Sequence, residues 1–184
     1  MKLADDCFIH DKDRLRHAQA LEILRENMRT IAGVETIALG NANGRILAAD
    51  VIAPRNIPAF DNSAVDGYAF AHADFEPTGG FFPLMARIAA GDTAEIELPG
   101  FAAARIFTGA KMPTGADTIA MQEDCEPHEQ DGSQFIAIPA GLKKGANCRL
   151  AGEDVAADEV VATSGKKLSP QDLAAIASLS LIHI

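Results

Sequence analysis

Apolar residues recur every three or four positions near the start of the chain: Leu15, Ala18, Leu21, Leu24, Met28 and Ile31. Arg14, Arg16, Glu22, Arg25, Glu26 and Arg29 fill the other faces, so the spacing predicts an amphipathic helix from about Asp13 to Ala32. Asp11 and Asp13 favour its positive N-terminal end, and Gly33 stops it. The apolar stripe reads as a core face rather than a partner surface. From Val34 the pattern changes to short β-prone runs between Gly, Pro, Asn and Asp: 36–39, 50–52, 68–70, 84–89, 94–98, 103–107, 118–121, 135–138 and 159–162. No amphipathic helix is visible between about Pro54 and Pro139. The spacing predicts a small antiparallel barrel or sandwich, inserted between helical ends. Ser169-Pro170-Gln171-Asp172 then provides an N-cap serine, a first-turn proline and an acid at N3, opening a second helix through Leu173, Ile176 and Ala177. The last residues, Leu179 to Ile184, are mostly apolar and uncapped, as expected of a chain running on into a further segment.

Composition narrows the classes. Of 184 residues 34 are alanine and only 10 are Phe or Tyr, so the core must come from Ile, Leu, Val and the nine Phe. The net charge of −10 argues against holding nucleic acid by phosphate neutralisation. No apolar run approaches the roughly 20 residues that cross a bilayer, and the N-terminus lacks the apolar stretch of a signal peptide. The expectation is a cytoplasmic globular protein, with neither a membrane nor a nucleic acid as partner. Cys7, Cys125 and Cys148 are far apart and outside any CxxC pattern, so neither disulfides nor a zinc ribbon is expected. Cys148, beside Arg149, is weighed as a nucleophile and read instead as a strand residue.

Three clusters are dense in chemistry. Pro54 to Ala69 crowds Asp61, Asn62, Ser63 and Asp66 before a glycine, equally suited to a turn between domains and to a site. Arg105 to Asp117 carries Thr108, Lys111 and Thr114 with two glycines, able to contact an anion, although it is not a Walker A loop. Lys143 to Asp154 sets three cations before Glu153 and Asp154; the alternative is a solvated hairpin with local ion pairs. The five histidines are scattered, so a histidine metal site or a Ser/His/Asp triad has little support.

The ordered strings NIPAFDNSAVDGYAF, RIFTGAKMPTGADTIAMQED and GANCRLAGED resemble the MoeA/gephyrin-E family, the molybdopterin molybdenumtransferases, over nearly the whole chain. The resemblance implies an α+β, mostly β architecture. An elongated α/β domain I forms from residues 1–52 and 141–184, and a β-barrel-like domain II from 53–140 is inserted into it. It implies insertion of molybdenum from molybdate into adenylylated molybdopterin, with release of AMP and magnesium as cofactor. The family's site is a cleft at a homodimer interface, where domain III of one subunit faces domains I and II of the other. Carried over residue by residue, the functional acids fall on Asp66 and Asp154, with Thr108, Arg149 and Glu153 as binding residues. Asp66 and Asp154 would orient polar pterin groups or hold the cation, Arg149 would meet phosphate or dithiolene charge, and Thr108 would add a hydroxyl contact. Which residues hold the metal stays open. Domains III and IV are expected to be absent and the chain alone inactive. The alternative is a non-catalytic module for dimerisation and ligand docking.

Overall fold

A computed structural model describes residues 15–93 and 95–184. The chain divides into two units, Met1–Thr36 and Ile37–Ile184. Asp11, Asp13, Arg14 and Cys7 lie outside the described residues.

The first unit contains helix α1, His17–Asn27, shorter than its apolar period suggests. None of its residues is buried within this unit: Leu24 is 54% exposed, as are the following Met28 at 69% and Ile31 at 99%. The apolar stripe is therefore not covered by its own unit. Most helical stability in proteins comes from packing of one face. Without such packing the weak helix formers Thr30 and Ile31 do not extend the helix, and Met28 already has extended backbone angles.

The described residues of the second unit form ten strands: β1 Val51–Ile52, β2 Asn62–Ser63, β3 Gly67–Phe70, β4 Phe81–Ile88, β5 Ala103–Ile106, β6 Thr118–Met121, β7 Glu126–Gln130, β8 Ser133–Ala137, β9 Cys148–Arg149 and β10 Val160–Ala162. Six form one mixed sheet in the order β6-β3-β5-β4-β8-β7. The pair β4–β5 is parallel and the other pairs are antiparallel. Among the described residues the edge strands β6 and β7 do not pair, so the sheet is open rather than a closed barrel. Two-stranded ladders β1–β10 and β2–β9 and the one-turn helix α2, Phe75–Thr78, lie outside this sheet.

Two expected strands are absent. Residues 36–39 contribute one bridge, Ala38 to His183, before a 3-10 turn at Leu39–Asn41. Residues 95–98 contribute one parallel bridge, Glu97 to Thr114. Two unexpected strands, β2 and β7, have no apolar alternation to reveal them, whereas β9 holds Cys148, read from the sequence as a strand residue. β7 is exposed throughout and exists because Asp131 and Gly132, both at positive φ, turn it back onto β8.

The sheet packs on both faces. Ala69, Ile88, Ala104, Ile106 and Ile119 form one cluster, while Phe70, Phe82, Ala103, Ala120 and Ile136 form another. In the second, Phe70 and Phe82 lie 5.2 Å apart between ring centroids. A third cluster joins Leu39, Leu47 and Val51 to Ala162, Leu168 and Ile176, residues far apart in sequence.

Helix α3, Pro170–Ser178, begins where the sequence places it. The Ser169 hydroxyl accepts from the Asp172 N–H at 3.4 Å, and Asp172 Oδ2 accepts from the Ser169 N–H at 2.9 Å. With Lys166 Nζ at 2.6 Å, and Ser169 bonding as well, the Asp172 carboxyl is lowered to about 2. A carboxylate whose folded pKa is depressed stabilises the fold above its ordinary value and loses that contribution as pH falls. The Asp172 contribution is thus expected to be complete above about pH 4 and to disappear towards pH 2. Ser169→Ala should cost about 1 kcal/mol in urea unfolding, and Asp172→Asn should flatten the stability profile across that acid window.

Candidate functional site

Strand β2 and the turn after it form the organising segment. On one side, Ser63 N–H donates to the Ala110 carbonyl at 3.0 Å, Gly109 N–H to the Ser63 carbonyl at 2.8 Å and Met112 N–H to the Asp61 carbonyl at 2.9 Å. On the other, Asn62 and Ser63 pair with Arg149 and Cys148. Ala151 N–H also donates to Asp61 Oδ1 at 2.7 Å. Backbone bonding therefore brings all three sequence clusters together, with 61–66 in the middle.

The predicted site residues fall into two groups. In the first, Asp66 Oδ1 accepts from the Thr108 N–H at 2.8 Å and from its hydroxyl at 2.7 Å. These two bonds, the backbone one foremost, hold the Asp66 carboxyl below its ordinary value, against a small desolvation effect. Asp66 is thus ionised at neutral pH, with its hydroxyl donor fixed at one oxygen. In the second, Arg149 Nε donates to Glu153 Oε1 at 2.6 Å, and Arg149 NH2 meets both oxygens of Asp154 at 2.7 Å. Glu153 also accepts from the Leu150 N–H at 2.9 Å. Arg149 is pushed up by these two acids, and Glu153 is pulled down chiefly by Arg149. One cation between two carboxylates leaves the trio net negative. No side-chain hydrogen bond links the two groups among the described residues; they communicate through the backbone of 61–66.

Several contributors were not singled out from the sequence as site residues. Asp61 ties two loops together, and its position before Asn62-Ser63 was the available signal. Asn147, at φ 58, donates through Nδ2 to the Ile119 carbonyl at 2.9 Å, and its own carbonyl accepts from Ala64 N–H at 2.9 Å. Lys111 and Lys144, by contrast, are spent in local ion pairs with Glu95 and Asp117.

Neither of the two described thiols is activated as a nucleophile. Burial pushes Cys125 and Cys148 up to about 11, so both stay protonated at neutral pH. Among the described residues no three His, Cys, Asp or Glu gather as metal ligands. Glu153 and Asp154 are taken by Arg149. These residues alone do not make a magnesium site.

The family model for the MoeA N-terminal region (domain I and II) matches residues 15–180, a span that includes all three clusters and both groups of side chains. The chain belongs to the MoeA family. A molybdopterin molybdenumtransferase of Haemophilus influenzae is 36% identical over 166 residues, covering 90% of this chain and 40% of the relative. One of Bacillus subtilis is 34% identical, covering 82% and 36%. A crystal structure of the molybdopterin biosynthesis MoeA protein of Pyrococcus horikoshii OT3 superposes with a TM-score of 0.74 at 31% identity, over 91% of this chain and 44% of that one. A second structure of a P. horikoshii MoeA protein gives 0.77 at 25% identity. The chain thus spans about two fifths of the length of these MoeA relatives. No helix among the described residues is long and apolar enough to cross a membrane.

Proposed function

We propose that this chain provides the pterin-facing side of a cytoplasmic molybdenum-inserting site, in which a complete protein transfers molybdenum from molybdate to adenylylated molybdopterin and releases AMP. The observation that carries this reading is the convergence of the three family motifs on one short strand, with an ionised Asp66 at one end and the Arg149–Glu153–Asp154 trio at the other. Asp66 Oδ2 has no hydrogen-bond donor among the described residues, so it is available to accept N–H groups of a pterin ring. Thr108 fixes the opposite oxygen and hence the carboxylate's orientation. Asp154, half exposed, remains able to accept further donors while Arg149 steadies it. Magnesium and molybdate are assigned to the part of the cleft contributed by domain III of a second subunit.

The test is a chimaera in which residues 15–180 replace the matching region of the H. influenzae relative. Molybdenum insertion into adenylylated molybdopterin should survive in the folded chimaera. A folded, dimeric chimaera with no insertion, whose parent is active under the same conditions, overturns the reading.

A second reading, a dimerisation and ligand-docking module, is favoured by one observation, the open apolar stripe along and beyond α1. Under it the isolated chain sediments as a homodimer, and Leu24→Glu shifts it to monomer. A wild-type chain that sediments as a monomer at all concentrations removes this reading.

A further inference from the structure

Away from the two groups of site residues, the margin of the sheet face that carries Phe70 and Phe82 holds a second concentration of chemistry. Arg87 and Arg105 are register partners on the parallel pair β4–β5, and Tyr68 is the register partner of Arg105 on β3. Register partners on neighbouring strands share a face, so Tyr68, Arg105 and Arg87 stand in one row. The Arg105 guanidinium lies 4.9 Å from the Tyr68 ring centroid and 4.8 Å from that of Phe107, while Arg87 lies 4.5 Å from Phe107. The rings fix both cations without neutralising them. Opposite the row, the paired residues His128 and Phe135 of the β7–β8 hairpin form a second wall. The groove between them has a volume of about 620 Å³, within the range of small-molecule sites.

Charge distinguishes this groove from the Arg149 cluster. Arg149 is bracketed by two carboxylates. Among the described residues, Arg87 and Arg105 form no salt bridge at all. Arg105 donates to neutral acceptors, the Gly67 carbonyl at 3.2 Å and the Gln122 side-chain oxygen. Arg87 is exposed, with no hydrogen-bond acceptor among the described residues. Glu129 is the one acid among the described lining residues, set against two guanidiniums. Arg105 acts at longer range on the carboxylates of Asp66 and Glu123, which leaves Arg87 the freer cation. In a chain of net charge −10, two neighbouring arginines with no salt bridge among the described residues, beside aromatic walls, are a local receptor for an anion.

We propose that this groove binds a phosphorylated planar ring, with Arg87 and Arg105 taking the oxyanion and Tyr68, His128 and Phe135 flanking the ring. The groove adjoins the first group of site residues, because Phe107 immediately precedes Thr108 and Arg105 holds the carbonyl of Gly67, next to Asp66. In the reading given above, the groove would hold a phosphate-bearing part of the pterin substrate; that identification rests on that reading, whereas the binding itself does not.

The experiment is a titration of the isotopically labelled chain with AMP as probe, followed by amide chemical shifts, with adenosine and inorganic pyrophosphate as separate arms. Saturable shifts should map to residues 84–88, 103–107, 127–129 and 134–135, and Arg87→Ala should weaken AMP at least about tenfold. Arg87→Lys, which keeps the charge but loses the planar fork, should fall between them. Arg87 is exposed, so both variants should fold, and unchanged shifts elsewhere verify this. Absence of saturable groove shifts at millimolar AMP overturns the proposal, as does binding that Arg87→Ala leaves intact. Adenosine binding as tightly as AMP removes the oxyanion role, and pyrophosphate binding as tightly as AMP removes the ring role. An inactive chimaera with saturable AMP binding would sink the proposed function and leave the groove standing.

Discussion

Gly67→Ala is expected to prevent stable folding of the second unit. Gly67 begins β3, between Ile106 of β5 and Met121 of β6. A methyl carbon there would lie 2.1 Å from the Ala120 carbonyl oxygen and 3.0 Å from Ile119 Cγ2. The first of these is backbone in a neighbouring strand and cannot rotate away, so the sheet would have to part. Overpacking of cores costs about 1–3 kcal/mol even where side chains can adjust. This clash should cost more than about 3 kcal/mol, a large share of a total stability of about 5–15 kcal/mol. Urea unfolding followed by circular dichroism is the measurement, with Gly40→Ala as the control, since nothing lies within 4 Å of a methyl at Gly40. A Gly67→Ala variant that unfolds at the wild-type urea midpoint would show that the strands can accommodate the methyl. The glycine that follows Asp66 is thus required by strand spacing, independently of any ligand.

Asp66→Ala should have the opposite profile, an intact fold with lost activity. Its hydrogen bonds go to Thr108 at an exposed loop, and nothing buried depends on its side chain. In an active chimaera or complete protein, the variant should lower the insertion rate by about 100-fold or more, the scale of a lost group at the reacting centre. Thr108→Val should be milder, because it removes the hydroxyl donor but keeps the backbone N–H that contributes most to lowering the Asp66 carboxyl. The carboxylate then stays ionised at neutral pH, so any loss there reports orientation rather than charge. The acid limb of the pH–rate profile should move up towards the ordinary aspartate value in Thr108→Val. Unchanged rates in folded Asp66→Ala would remove this residue from the site.

These two substitutions, at adjacent positions, separate what one motif combines. Residue types alone put a turn and a site on equal footing for Pro54 to Ala69, and both readings hold within it. Asp61, Asn62 and Gly67 build the junction, while Asp66 presents a carboxylate at its edge.

What the chain sequence determined by itself was local. The Ser169-Pro170-Gln171-Asp172 start of α3, most sheet strands with apolar content and the three motif clusters follow from short-range preferences: caps, turn residues and alternation of side chains. Only the tertiary structure decided the rest. Strands β2 and β9 are two residues each and exist because Asn62 and Ser63 meet Arg149 and Cys148 across more than 80 positions, which no local period encodes. The stripe around α1 has the period of a core face, yet nothing in its own unit covers it, because periodicity records which side a helix could bury and not what covers it. The same limit applies to charge: Arg87, Arg105 and Arg149 are alike in sequence, and only their neighbours in space set two of them against aromatic rings, with no salt bridge among the described residues, and close the third between carboxylates.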